Sequence, residues 1–211
     1  KIIYQEGCNM KYAVLDDDIK FYRRNAKRFG GEDNMEKSRR ICSHHDLLDM
    51  FQLYSQWLEE PNVTFCGCSH SENIPDVVYY RNNTSLGSAV WFNGKDFKDI
   101  LKELPLAKVR FGEDTLLFLS LLSKGYGNRV SQEFCFENMS LKSTSTLWDE
   151  NWLTPNHVEA DHQIIEGCFP DFYQILYDED GERVKGGFRN YGKTKVYWSK
   201  AYKSSQQGKL A

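Results

Sequence analysis

The fold is decided by residues 12–21, which read YAVLDDDIKF. Four apolar residues are followed at once by three carboxylates, Asp16, Asp17 and Asp18. A continuous apolar run is typical of a strand buried on both faces of a sheet, and we predict such a strand over residues 12–15. The acidic turn, our name for Asp16–Asp18, would then lie at the carboxyl end of that strand, where α/β sheets bind ligands.

Outward from this stretch, apolar runs and helical periods alternate. Helices are predicted over about 37–59, 95–104, 115–124 and 155–167, with Asp114 or Thr115 capping the third and Gly125 ending it. Strands are predicted over 62–68, 77–80, 88–92 and 129–136. The alternation indicates an α/β fold in which a mixed central sheet is flanked by helices.

The composition is that of a folded protein. The chain has 211 residues, of which 40% are hydrophobic and 27% charged, which excludes a disulfide-stapled miniprotein and a disordered chain. It contains no apolar run of the ~20 residues that a membrane span needs, so we expect no membrane partner. The six cysteines have no repeated spacing, which predicts free thiols and a cytoplasmic location.

The C-terminal segment carries a separate charge pattern. Residues 183–211 contain eight of the 27 basic residues and no acid, with five aromatic residues interleaved. This mixture favours contact with a polyanion, because it pairs with phosphates and stacks on bases. We therefore predict two regions, 1–182 and 183–211, and nucleic-acid contacts by a group of five residues: Arg189, Lys193, Lys195, Trp198 and Lys200. The alternative is a solvated tail whose aromatic side chains dock on the core.

The two ends of the sequence suggest a trimmed chain. The first residue is Lys1, and the final Lys209-Leu210-Ala211 is similar to the start of an expression-vector linker.

The acidic turn is the strongest candidate for chemistry. Three adjacent carboxylates repel one another unless a positive charge neutralises them. Mg²⁺ and Mn²⁺ prefer oxygen ligands and commonly bridge carboxylates to nucleotide phosphates. The alternative is a solvated acidic turn without a ligand.

A second acidic motif, Gly112-Glu113-Asp114, precedes an apolar helix. A carboxylate at a helix N-terminus is favoured in its ionised form, and Asp114 could act as a general base toward an acceptor hydroxyl. Simple capping of the helix is the alternative.

Taken together, the two motifs and their order resemble nucleotide-sugar glycosyltransferases of the GT-A fold. The resemblance covers residues 10–137 and implies that Asp16 and Asp18 bind Mn²⁺ or Mg²⁺ and the donor diphosphate. It also implies that Asp17 faces the sugar or ribose and that Asp114, supported by Glu113, is the base, which favours inversion. The implied donor is a nucleoside diphosphate sugar, with a UDP-sugar expected.

Within that group, residues 12–21, the Gly112 motif and the basic C-terminus are most similar to the phage TET-associated glycosyltransferases. This resemblance implies that the acceptor is 5-hydroxymethylcytosine in phage DNA and that the location is the cytoplasm of an infected bacterium. GT-A enzymes have a longer nucleotide-binding unit before the first acidic motif, so we expect that unit to be shortened or missing here.

Two further groups are metal-site candidates. GT-A enzymes often complete the metal shell with a C-terminal histidine, for which His157 and His162 are the candidates. Their spacing of five residues does not bring both to one helical face, so one ligand at most is expected. Cys66, Cys68 and His70 have no partner pair for zinc, and a buried strand end with a free thiol is the favoured interpretation.

Three other functions remain open. The acceptor could be a glycan, a lipid-linked glycan or a protein. The chain could be a two-metal nuclease that uses Asp16, Asp18 and Glu113. It could also be a non-catalytic nucleic-acid-binding module, in which case the carboxylates are structural.

Overall fold

A computed structural model describes residues 11–24, 39–71, 79–94, 97–138, 154–185 and 193–207. The chain divides into two compact units. The first comprises Lys1–Phe97 and Tyr126–Thr144, and the second comprises Lys98–Gly125 and Ser145–Ala211. The C-terminal segment 183–211 therefore falls within the second unit.

The first unit is built on one sheet with a single long helix. Its strands are β1 Lys11–Leu15, β2 Ile19–Arg24, β3 Arg39–Ile41, β4 Phe65–His70, β5 Tyr80–Asn82, β6 Ala89–Asn93 and β7 Asn128–Asn138, and its helix is α1 His44–Trp57. The sheet order is β1-β6-β4-β7-β2-β3, with β5 also paired to β7. Strands β4 and β7 run parallel and the other pairs antiparallel, so the predicted α/β fold with a mixed central sheet is confirmed.

Helix α1 packs on this sheet through large apolar side chains. The core that they share with the strands contains Met50, Tyr54, Trp57, Leu58, Cys66, Cys68, Trp91 and Phe134. The Tyr54 ring makes an edge contact with the Trp91 ring, with 4.7 Å between the centroids. Burial of this face stabilises the unit by roughly 25 cal/mol for each Å² of apolar surface removed from water.

Strand β1 confirms the prediction of a strand over residues 12–15 and shows that its predicted burial is wrong. Its only partner strand among the described residues is β6, so it lies at the end of the sheet. Val14 is 37% and Leu15 41% exposed. An edge position leaves the apolar run only partly covered, which a run of four residues cannot reveal.

The N-terminus predicted for α1 is also wrong. Residues 39–41 pair with β2 as a strand, and the helix starts only after Ser43. Ser43 Oγ accepts from the Asp46 backbone N–H, and the Asp46 carboxylate accepts from the Ser43 N–H, which forms a capping box. The strand therefore ends at Ile41, and the helix begins at His44, directly after this cap.

The second unit is mainly helical. Its elements are α2 Phe97–Glu103, which starts at the unit boundary, a short 3₁₀ turn at Leu106–Lys108, α3 Glu113–Ser123, α4 Pro155–Cys168, β8 Tyr173–Ile175, β9 Thr194–Val196 and α5 Trp198–Gln207. Helix α3 packs on α5, α4 packs on β8, and β8 pairs antiparallel with β9. None of the helices in the described residues combines the length and hydropathy needed to cross a membrane.

Most predicted elements are confirmed. Helices α2, α3 and α4 and strands β4, β6 and β7 lie within a few residues of their predicted bounds. Residues 77 and 78 of the predicted strand 77–80 lie outside the described residues, and β5 begins at Tyr80, the last residue of that prediction. Gly125, at φ +90°, directly follows Lys124, the C-cap residue of α3, and ends the helix as predicted.

Candidate functional site

The acidic turn lies at the carboxyl edge of the first unit's sheet. Parallel strands end at the same edge, and β4 and β7 pair His70 with Phe136 close to their carboxyl ends. The acidic turn joins the carboxyl end of β1 to the start of β2, whose first residue Ile19 pairs with Asn138 at the end of β7. The three carboxylates therefore stand at the edge where the sequence predicts them.

Hydrogen bonds hold this turn in place. The Asp16 N–H donates to the Ser88 carbonyl at 3.0 Å. Asn138 Nδ2 lies 3.4 Å from Asp18 Oδ1 and 3.2 Å from Ser88 Oγ, so it can donate to both oxygens. Asp18 is half-buried by these contacts, whereas Asp16 and Asp17 are exposed.

A cavity of about 510 Å³ opens at the same edge, and we call it the edge cavity. It is lined by Ser69, His70, Arg81, Thr84, Ser85, Leu86, Gly87 and Phe136. Gly87 immediately precedes Ser88, and Phe136 lies two residues before Asn138, the two residues that bind the acidic turn. Its volume is within the range of small-molecule sites, roughly 300–1,000 Å³.

A change of register aims β4's last residues at this cavity. Cys68 pairs with Ser131, but the next residue, Ser69, pairs with Cys135. Such irregularities reorient side chains at functional edges. Here the shift brings Ser69 and His70 to the cavity, where the His70 ring stands perpendicular to that of Phe136 at a centroid distance of 5.3 Å.

Gly67 permits the close approach of β4 and β6 beside the cavity. A Cβ atom at this position would lie 2.2 Å from the Ala89 carbonyl oxygen and 2.8 Å from Leu86 Cδ2. Since the obstructing oxygen belongs to the backbone, only glycine fits without moving a strand.

The metal prediction rests on a small number of carboxylates. No group of three or more His, Cys, Asp or Glu side chains suited to a metal ion occurs within the part of the chain that the structure describes. Mg²⁺ and Mn²⁺ are often held by only one or two carboxylates together with substrate phosphates. Asp16 and Asp18 are the residues of the acidic turn that could act in this way.

The Gly112 motif begins helix α3 in the second unit. Gly112 has φ +85° and is itself the N-cap residue, so the prediction that Asp114 or Thr115 caps the helix is wrong. Glu113 and Asp114 occupy the first helical turn with exposed side chains, and Asp114 Oδ1 accepts from the Thr115 N–H at 2.6 Å. Both carboxylates are therefore accessible to solvent at the positive end of the helix dipole.

Asp161, which the sequence analysis missed, positions the chain just before this motif. Its Oδ2 accepts from the backbone N–H groups of Arg110 and Phe111, each at 2.9 Å, and the residue is 3% exposed. A buried carboxylate that binds two backbone donors orders the loop they belong to. An aspartate in the middle of an amphipathic helix carries no local signal of this long-range contact.

A ring nitrogen of each candidate histidine ligand forms a hydrogen bond with a residue of the second unit. His157 Nδ1 accepts from the Thr154 N–H at 3.3 Å in the capping box of α4. His162 is 6% exposed, its Nδ1 hydrogen-bonds to the Tyr173 hydroxyl, and burial lowers its pKa. Within the described residues, neither ring belongs to a group of three or more His, Cys, Asp or Glu side chains that could hold a metal ion. The metal role of each histidine stays a prediction.

Part of the predicted nucleic-acid contact forms a basic-aromatic surface, which we define as Lys195, Tyr197, Lys200 and Phe172. The ammonium groups of Lys195 and Lys200 lie 4.9 and 5.8 Å from the centre of the Tyr197 ring. Lys200 also lies 5.9 Å from the Phe172 ring centre.

The other predicted contact residues differ in how far they are described. Lys193 is exposed just before β9, and Trp198 is half-buried at the first residue of α5. Arg189 lies outside the described residues.

The cysteines of β4 belong to the core. Cys66 and Cys68 are fully buried, and burial raises the pKa of both thiols. A protonated thiol is a poor zinc ligand. The five described cysteines are free, as predicted, and Cys8 lies outside the described residues.

The cavity residues Arg81, Thr84 and Ser85 are the main site candidates that sequence analysis missed. Their stretch carries turn signals, and only the pairing of β5 with β7 brings it to the sheet edge.

Comparisons with models of known protein families, with curated proteins and with solved structures found no match to this chain in any of the three.

Proposed function

We propose that this protein is a metal-dependent glycosyltransferase of the GT-A type that moves a sugar from a nucleoside diphosphate sugar to a hydroxyl group. The observation that carries the proposal is the acidic turn beside the edge cavity at the carboxyl edge of the sheet. This arrangement provides carboxylates for a cation and an adjoining space of ligand size in one unit.

The proposed chemistry assigns different roles to the carboxylates. Asp16 and Asp18 would hold Mn²⁺ or Mg²⁺, which supplies positive charge to the departing diphosphate when bound. Asp114 would take the proton of the acceptor hydroxyl as its oxygen attacks the anomeric carbon. The bond between that carbon and the diphosphate oxygen breaks as the new glycosidic bond forms, and this direct displacement inverts the configuration.

DNA containing 5-hydroxymethylcytosine is the proposed acceptor. The basic-aromatic surface supports this choice, because lysines beside aromatic rings suit a ligand with both phosphates and bases. The same surface also favours a second candidate, a non-catalytic nucleic-acid-binding module. The two differ in whether a donor is consumed.

Donor hydrolysis tests the transferase. The wild-type chain is incubated with Mn²⁺ and a series of nucleotide sugars, and release of the nucleoside diphosphate is measured. We expect turnover of at least one donor, loss on chelation, and a decrease of about 100-fold or more in Asp16→Asn and Asp18→Asn. Glu59→Gln, which removes an exposed carboxylate of the same unit, should retain the wild-type rate. Absence of turnover with every donor would reject the proposal.

The acceptor is tested with matched oligonucleotides that contain cytosine or 5-hydroxymethylcytosine. We expect sugar transfer only to the modified strand, and weaker DNA binding when Lys195 and Lys200 are both changed to Gln. Lys108→Gln, an exposed charge change, is the control. Transfer to a saccharide or protein instead would identify the alternative acceptor class, and nicking of DNA with metal alone would identify a nuclease.

A further inference from the structure

The edge cavity has an excess of hydrogen-bond donors. Its side chains provide the guanidinium of Arg81, the ring of His70 and the hydroxyls of Ser69, Thr84 and Ser85. None of the described residues that line it is an acid. A space with this composition is electrostatically suited to an anion.

The hydroxyl of Ser69 is oriented by a buried neighbour. Gln132, which is fully buried, donates from Nε2 to Ser69 Oγ at 2.8 Å. Since the oxygen accepts this bond, the Ser69 proton is left to donate to another acceptor. A phosphate oxygen in the cavity would accept it.

Arg81 supplies the positive charge. It is exposed on β5 and makes no ion pair with any carboxylate in the described parts of the chain. Two other arginines of this unit are paired with carboxylates: Arg129 contacts Glu60 at 2.5 Å, and Arg23 contacts three carboxylates. A guanidinium presents a planar set of donors that matches two oxygens of one phosphate group.

The neighbouring acidic turn has the opposite character. Asp16 and Asp17 are exposed carboxylates that repel an approaching phosphate, whereas Arg81 attracts it. A phosphate group at this edge is therefore stabilised by the cavity even without a cation. A cation at the acidic turn would strengthen the contact that the phosphate makes with Arg81.

We infer that the edge cavity is a phosphate-binding site in which Arg81 is the counter-charge, and that it holds the diphosphate of a nucleoside diphosphate without a divalent ion. The identification of the ligand as the donor's diphosphate rests on the proposed function. The affinity of the cavity for a diphosphate does not depend on catalysis.

Calorimetric titration of the full chain with inorganic pyrophosphate and with uridine diphosphate, in EDTA and at low salt, tests this inference. We expect both to bind, and Arg81→Gln to weaken each by about tenfold or more. Ser85→Phe, which fills the cavity from an exposed loop position, should weaken both to a similar extent. Lys108→Gln, which removes one positive charge elsewhere, should change the affinity by less than about twofold.

Each outcome decides the inference. No binding by the wild type, or equal binding by the folded Arg81→Gln and Ser85→Phe variants, would overturn it. Arg81-dependent binding of a short DNA duplex, together with no binding of pyrophosphate, would also overturn it. The site would then bind the phosphate backbone of the DNA acceptor.

Failure of the inference and failure of the proposed function are separable. Donor turnover with Mn²⁺ but no diphosphate binding in EDTA leaves the transferase intact and rejects the cavity site. Arg81-dependent diphosphate binding without turnover of any nucleotide sugar supports the site and rejects the transferase.

Discussion

Asp46 and the acidic turn, both in the first unit, have opposite environments. Asp46 is 2% exposed and bonded to Arg40, Arg23 and Ser43, and these hydrogen bonds, that of Arg40 foremost, hold its pKa well below the usual range. The acidic turn has two exposed carboxylates and one that contacts Asn138. Asp46 has its counter-charges within the chain, whereas the acidic turn leaves two carboxylates facing solvent.

The same contrast occurs within the second unit. Asp161 is buried and bonded to two backbone N–H groups, whereas Asp114 is exposed at the start of α3. A buried carboxylate that accepts hydrogen bonds from its own chain stabilises the fold. An exposed carboxylate adds little to stability and is available for binding or catalysis.

The largest expected effect is the loss of Asp46. Asp46→Ala removes the capping box and leaves Arg23 and Arg40 without this partner, which should lower the free energy of unfolding by about 3–5 kcal/mol. Urea titration measures the change. Asp49→Ala, which removes an exposed partner of Arg23, is the matched control and should cost about 1 kcal/mol or less. Equal effects of the two variants would contradict the contrast.

Asp161→Asn should have the next largest effect. The amide oxygen can still accept one bond, but the charge that strengthens both backbone contacts is lost, and we expect about 2 kcal/mol less stability. Urea titration again provides the measurement. Asp180→Asn, an exposed residue of the same unit, should change stability by less than about 0.5 kcal/mol. An unaltered Asp161→Asn variant would show that the two bonds do not order the loop.

Acid should destabilise the protein in two steps. Burial lowers the pKa of His162, because the folded chain favours the neutral imidazole. The contribution of this residue to the free energy of unfolding is therefore complete above the ordinary histidine pKa of about 6.5 and is lost as the pH falls. Asp46 also has a lowered pKa, and its contribution is lost only below about pH 4. The urea midpoint followed from pH 8 to 3 should show both steps. His162→Gln should remove the upper step and Asp46→Asn the lower, and an unchanged profile in either variant would contradict the assignment.

The smallest expected effect on stability comes from the acidic turn. Asp17→Asn removes one of three adjacent like charges and should change the free energy of unfolding by less than about 0.5 kcal/mol, with a small gain expected. Thermal unfolding at low and high salt checks this, since screening should remove the gain. A loss above about 1 kcal/mol would show that Asp17 has a structural partner.

Local signals account for most of what could be predicted. The strand before Asp16, the helices α2 to α4 and the glycine that ends α3 follow from short patterns of apolar residues, caps and breakers. The predictions that failed depended on strand pairing or on the turn that begins a helix. They include the burial of Val14 and Leu15, the strand at 39–41 and the cap of α3.

The sequence by itself determined the mixed α/β class, most of the helices and strands of the central part of the chain and the position of three carboxylates at a strand end, because each follows from residues adjacent in the chain. Only the tertiary structure decided which aspartates are bonded by the chain and that Ser69, Arg81 and Phe136 share a cavity. These residues come from three separate strands, and pairing between strands that are distant in sequence leaves no local pattern.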